Sequence, residues 1–95
     1  MRSYETMYIL DPDLNEDSTN SLIEKFKSVI TDRGGEVQEI ERWGKRRLAY
    51  PIEHRKEGYY VIMYFTADPS AVQEMERLLK ITTGVLRHIV IRKDR

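Results

Sequence analysis

Trp43, Lys45, Arg46, Arg47 and Tyr50 put two aromatic rings and three cations within eight residues. Guanidinium groups take phosphate oxygens in pairs, and rings stack on exposed bases or pack against a protein, so this grouping suits a macromolecular contact. Spacing alone leaves a second reading open, in which Trp43 and Tyr50 are edge packing and the three cations only keep a strand from pairing with other chains. A second basic run, Arg87, Arg92, Lys93 and Arg95 against Asp94, reads by itself as an ordinary charged terminus.

Catalytic chemistry finds fewer parts. His54 and His88 are the only histidines, too few for most metal centres and without H-E-x-x-H spacing, so each reads as a surface or strand residue. Glu36, Glu39 and Glu41 alternate mostly along one stretch and read as solvated or edge-guarding charges. There is no G-x-S-x-G and no Walker loop, and Gly34-Gly35 reads as a helix stop rather than a phosphate cradle. Cysteine is absent, which removes disulfides, cysteine-based zinc sites and thiol nucleophiles together and fits a reducing compartment. The expectation is a binding protein that is not an enzyme, with no metal, no cofactor and no small-molecule substrate.

Charge adds a direction. Sixteen basic and sixteen acidic residues cancel overall, but not locally. Residues 1–41 carry four basic and ten acidic side chains, a net of −6, whereas residues 42–56 carry six basic and one acidic, a net of +5. Residues 57–86 give −2 and the tail from Arg87 gives +3. Screening confines exposed charges to about 8 Å at physiological salt, so a phosphate responds to the local patch and not to the total.

The elements that must position these groups fit one domain, since 95 residues suffice for one core and no deep cofactor cavity. Tyr4 to Leu10 reads as a strand ended by Asp11-Pro12-Asp13. Asn15 or Ser18 caps a helix whose apolar face is Leu22, Ile23, Phe26, Val29 and Ile30, stopped at Gly34-Gly35. Glu36 to Ile52 reads as a long strand bent at Trp43-Gly44, with Pro51 suiting an edge. A polar loop, Glu53 to Gly58, then leads to a central strand, Tyr59 to Thr66, apolar on both faces. Asp68 caps a second helix with Pro69 at its first position and Val72, Met75, Leu78 and Leu79 as its stripe. Val85 to Ile91 is the last strand. No apolar run approaches the roughly 20 residues of a membrane span, and Met1-Arg2-Ser3-Tyr4 leads into a strand rather than a signal peptide, so a cytoplasmic location without membrane contact is expected.

The order β-α-β-β-α-β is that of the ferredoxin-like α+β sandwich, a four-stranded antiparallel sheet with two helices on one face. Acylphosphatases share it, but Asp11-Pro12-Asp13-Leu14 has no counterpart to their glycine-rich, arginine-bearing loop. The RNA-recognition motif shares it too. Gly58, Tyr59 and Tyr64 fit that motif's third strand, while Glu57 and Val61 stand where a cation and a key aromatic belong. A small-molecule sensor of the same topology remains an alternative, with no loop chemistry to suggest its ligand.

Met1-Arg2-Ser3-Tyr4-Glu5, the segment Trp43-Gly44-Lys45-Arg46-Arg47-Leu48-Ala49-Tyr50-Pro51-Ile52, and Gly58-Tyr59-Tyr60 together resemble the family of the bacterial small-subunit ribosomal protein number six, over essentially the whole chain. That resemblance implies a non-enzymatic protein of the ribosome, in the cytoplasm. It implies binding to the central domain of small-subunit ribosomal RNA, jointly with the small-subunit ribosomal protein number eighteen, during assembly of the platform. Carried over by position, Trp43, Lys45, Arg46, Arg47, Leu48 and Tyr50 would meet the partner protein. Arg2, Arg55, Lys56, Arg87, Arg92 and Lys93 would meet RNA backbone. Some members continue past the last strand in a tail that reaches the partner; this sequence stops at Arg95, and no tail contact is implied for it.

Overall fold

The computed structural model describes residues 1–52 and 54–93; Glu53, the first residue of the expected polar loop, and Asp94 and Arg95 of the basic tail lie outside the described residues. The elements are β1 (Arg2–Leu10), α1 (Glu16–Asp32), β2 (Glu36–Ile52), β3 (Arg55–Ala67), α2 (Pro69–Ile81) and β4 (Val85–Arg92). All strand pairs are antiparallel and the sheet order is β2-β3-β1-β4. The helices cover one face of the sheet, which makes the expected ferredoxin-like sandwich the observed one.

Period-two alternation builds the helix-side core. Tyr4, Tyr8 and Leu10 of β1 and Val61, Met63, Phe65 and Ala67 of β3 are buried beneath Ile23, Phe26 and Ile30 of α1 and Ala71, Val72, Met75 and Leu79 of α2. Tyr4 stacks on Phe65 with ring centroids 5.5 Å apart, and Tyr8 meets Phe26 edge-on at 5.2 Å. Of the two candidate caps for α1, Asn15 holds the position. Its side-chain oxygen accepts the Ser18 amide at 2.8 Å, while Glu16 and Asp17 lie at the positive end of the helix dipole. Gly34, at φ +82, provides the left-handed residue that ends the helix.

Two expectations change. Asp68 is the N-cap residue of α2, but its side chain makes no capping bond. Its backbone carbonyl instead accepts the Ala71 and Val72 amides, with Pro69 supplying the pre-set first turn. The supposed loop Glu53 to Gly58 is mostly strand, since β3 begins at Arg55 and pairs Arg55 with Ile52 and Glu57 with Arg47. An antiparallel ladder is made by backbone groups and tolerates charged side chains where the strand stands clear of the core. His54, at φ 67, makes the reversal.

Candidate functional site

The basic cluster is held on a long, kinked hairpin. β2 is an edge strand, and its register against β3 shifts at Val37/Glu39, Arg42/Gly44 and Arg47/Ile52. Extra residues of this kind bend a strand and increase its twist. The middle shift coincides with the expected bend at Trp43-Gly44, where Gly44 has φ +79. Beyond it the hairpin curls onto the sheet face that carries no helix. Leu48 and Ile9 come together there over Gly58; a Cβ on Gly58 would lie 2.2 Å from Ile9 Cγ2 and 3.3 Å from Leu48 Cδ2. Only glycine fits under that crossing.

Aromatic rings, rather than carboxylates, hold the cations of β2. The Arg46 guanidinium lies 5.6 Å from the centre of the Trp43 ring, and its Nε donates to the Trp43 carbonyl at 3.4 Å. Arg42 Nε donates to Tyr59 Oη at 3.0 Å. Among the described residues no ion pair neutralises Arg42, Lys45, Arg46 or Arg47, so their charge stays available to an external anion. Trp43 and Tyr50 are 47% and 54% exposed, which is the state a stacking or docking surface needs. Leu48 differs from the rest of the expected partner set, being buried against Ile9 and Gly58.

The expected RNA contacts divide between two poles of the molecule. Arg87 joins the hairpin pole, its guanidinium 5.5 Å from the Tyr50 ring centre and hydrogen-bonded to the Tyr50 hydroxyl. Arg55 and Lys56 are at the same pole, but Arg55 is already engaged, with Nε and Nη2 donating to the two Asp11 carboxylate oxygens at 3.1 and 2.8 Å. It braces β3 against the turn after β1. Arg2, Arg92 and Lys93 occupy the opposite pole, where Lys93 Nζ is 3.6 Å from Glu5 Oε1. Arg87 and Arg92 are five residue steps apart along β4, or roughly 17 Å at about 3.3 Å per step. One phosphate run does not meet both poles without crossing what lies between them.

What lies between is the open face of the sheet, expected from the fold class, with residues that the sequence alone did not bring together. Strand register puts Met7 and Ile9 of β1, Tyr60, Ile62 and Tyr64 of β3, and Ile89 and Ile91 of β4 on the helix-free face. Glu5 of β1 and Glu36, Glu39 and Glu41 of β2 share that face at its far end. Tyr64 Oη donates to Glu41 Oε1 at 3.1 Å, and that bond, with the charges of Glu41, Glu5 and Glu39, pushes the Tyr64 phenol above its ordinary pKa. The alternation of Met7 with Ile9 and of Ile89 with Ile91 carried the signal. It becomes legible only when the pairing of strands is known.

Other chemistries gain nothing. His54 is exposed at the hairpin turn and His88 is half-buried in β4. Among the described residues no group of three or more histidines and carboxylates is arranged to hold a metal, and no helix is long and apolar enough to cross a membrane. The partial match to the RNA-recognition motif also separates in space. Tyr59 packs on the helix side beside Arg42, Gly58 lies under the hairpin, and only Tyr64 of the three faces outward from the open sheet.

A protein-family model described as ribosomal protein S6 matches residues 3–92. The chain belongs to the ribosomal protein S6 family. Small ribosomal subunit protein bS6 of Caldanaerobacter subterraneus subsp. tengcongensis is 56% identical over 94 residues, covering 99% of each chain. The protein of the same description from Clostridium novyi is 47% identical over 95 residues, covering all of both. Among solved structures, 30S ribosomal protein S6 of Thermotoga maritima superposes with a TM-score of 0.91 at 34% identity, over 97% of this chain and 87% of that one. The C-terminal domain of MgtC from Mycobacterium tuberculosis reaches 0.61 at 12% identity over all of this chain and 90% of its own, a likeness of fold alone. Membership in the ribosomal protein S6 family makes the chain a structural component of the small ribosomal subunit, and not an enzyme.

Proposed function

We propose that the chain binds small-subunit ribosomal RNA, in the central domain that forms the platform, together with the small-subunit ribosomal protein number eighteen. The observation that carries the RNA half is the set of unpaired cations on β2, with Arg87 and Lys56 at the same pole. Cations free of internal carboxylates neutralise phosphate without first breaking a native ion pair. The partner half rests on the resemblance of Trp43 to Ile52 to the family's corresponding segment, and on the exposure of Trp43 and Tyr50 beside those cations. The two proteins would then present one composite cationic surface to a folded RNA junction, with shape and charge counting for more than base identity.

Salt titration tests the RNA half. Each neutralised phosphate releases counterions, so log affinity falls against log salt with a slope of about −0.7 to −0.9 per contact. For central-domain RNA in the presence of protein eighteen, replacing Lys45, Arg46 and Arg47 together by alanine is expected to weaken binding and flatten the slope by two or three contacts. A salt-independent affinity, or a slope unchanged by the triple replacement, would remove β2 from the RNA contact.

A further inference from the structure

Strands β2 and β4 are opposite edges of the sheet, with β3 and β1 between them, so their backbones stand roughly 14 Å apart at about 4.8 Å per strand. Their side chains nevertheless meet. The Arg87 guanidinium lies 5.5 Å from the centre of the Tyr50 ring and donates a hydrogen bond to the Tyr50 hydroxyl. The other arginine–ring contacts of the hairpin are local, Arg46 on Trp43 within β2 and Arg42 on Tyr59 of the adjoining β3. The curl of the hairpin over the helix-free face is what carries Tyr50 to the far edge.

The segment that reaches across is thinly held. Arg47 pairs with Glu57 and Ile52 with Arg55, so Leu48, Ala49, Tyr50 and Pro51 stand against Lys56 alone and can swing without breaking a regular ladder. Beneath them runs an open groove of about 270 Å³, floored by Met7, Tyr60 and Ile89, instead of packed side chains. Leu48 is buried against Ile9 over Gly58, whereas Ala49, Tyr50 and Pro51 are exposed. The strap is thus pinned at its base by Leu48 and at its tip by Arg87. Segments with few buried contacts and few backbone bonds are the ones that open at least cost.

Arg87 is an exposed arginine that no carboxylate neutralises among the described residues. Tyr50 covers one face of its guanidinium and occupies one of its N–H donors. Phosphate offers a guanidinium two parallel charge-assisted bonds, where a phenol offers one neutral bond and a ring face. We propose that Tyr50 is an autoinhibitory latch: it holds Arg87 against the open face in the free chain, and RNA phosphate has to displace it to engage that arginine. The inference deepens the RNA reading given above and rests on it. A latch closed in most molecules lowers the apparent affinity for RNA by the fraction that is open, and a contact this exposed lowers it by about two- to tenfold.

The test is titration of central-domain RNA with the full chain and no other protein, at low salt, where weak phosphate binding is measurable. The variants are Tyr50→Ala, Tyr50→Phe, Arg87→Gln and the double variant Tyr50→Ala with Arg87→Gln. All alter exposed positions, and circular dichroism melts verify that they fold. Tyr50→Ala is expected to bind RNA about two- to tenfold more tightly than the unaltered chain, and Tyr50→Phe, which keeps the ring and loses the hydroxyl, to gain less. Arg87→Gln is expected to bind more weakly, and adding Tyr50→Ala to it to restore nothing, because the gain comes through the freed arginine. If the unaltered chain binds and Tyr50→Ala leaves its affinity unchanged, the latch is refuted while the RNA reading stands. Weaker binding by Tyr50→Ala would make Tyr50 itself an RNA contact, and a gain that persists without Arg87 would place its cause elsewhere; either overturns the proposal. If the unaltered chain and every variant fail to bind the RNA, the RNA reading fails and the latch falls with it.

Discussion

At the scale of single residues, two buried polar atoms, the Tyr8 hydroxyl and Asn20 Oδ1, have no hydrogen-bond partner among the described residues. Tyr8 is fully buried and its hydroxyl has no hydrogen-bond partner among the described residues. Burial pushes its phenol well above the ordinary value, with Arg42 opposing only in part. A phenol whose folded pKa is raised favours the native state at neutral pH. That contribution is complete below the unfolded value near 10 and is lost as pH rises beyond it. Tyr8→Phe is therefore expected to change stability at pH 7 by less than about 1 kcal/mol, since a buried hydroxyl without a partner contributes little. It should also flatten the fall in stability above about pH 10. Urea denaturation at pH 7 and pH 11 measures both, and a loss of several kcal/mol at pH 7 would mean that the hydroxyl has a partner. Glu74 is of the opposite kind, its carboxyl held below the usual range by the Arg77 guanidinium at 2.7 Å. Arg77 is exposed and Glu74 half-buried at the surface, and such a pair adds little.

At the scale of elements, the hairpin β2–β3 gives this sandwich its particular character, and Gly58 is its pivot. The expected effect of Gly58→Ala is a loss of about 1–3 kcal/mol, typical of overpacking, because the Ile9 and Leu48 side chains must move to admit the methyl group. Thermal melts measure the loss, and an unchanged midpoint would show the hairpin free to lift off the sheet. Much of this element was legible in the sequence: its length, the bend at Trp43-Gly44 and the edge position allowed by Pro51. The helices were more legible still, because Ile23, Phe26 and Ile30 recur at the period of a helix and Asn15 and Gly34 mark its ends. The start of β3 was misread because Arg55, Lys56 and Glu57 look like a loop when backbone pairing is unseen. The glutamates of β2 stand on an edge strand, where edge-guarding charges are expected. One strand's alternation does not say that Glu5 from another strand joins them around Tyr64.

At the scale of the whole molecule, zero net charge conceals a division of surface. The hairpin pole carries Lys45, Arg46, Arg47 and Arg87, and the open face carries apolar side chains ending in four carboxylates. Arg2, Arg92 and Lys93 stand at the pole farthest from the hairpin, so of the described basic residues of the tail only Arg87 adds to the patch on β2. On the function proposed above, RNA and the partner protein would each favour the other by adding to a shared surface. Neither half of that surface alone needs to bind RNA tightly.

Binding of central-domain ribosomal RNA with and without protein eighteen, at fixed salt, tests this most directly. The chain alone is expected to bind weakly, the partner to tighten binding at least tenfold, and replacement of Lys45, Arg46 and Arg47 by alanine to abolish the gain. Equal affinity with and without the partner, or equal affinity for any RNA of the same length, would contradict it.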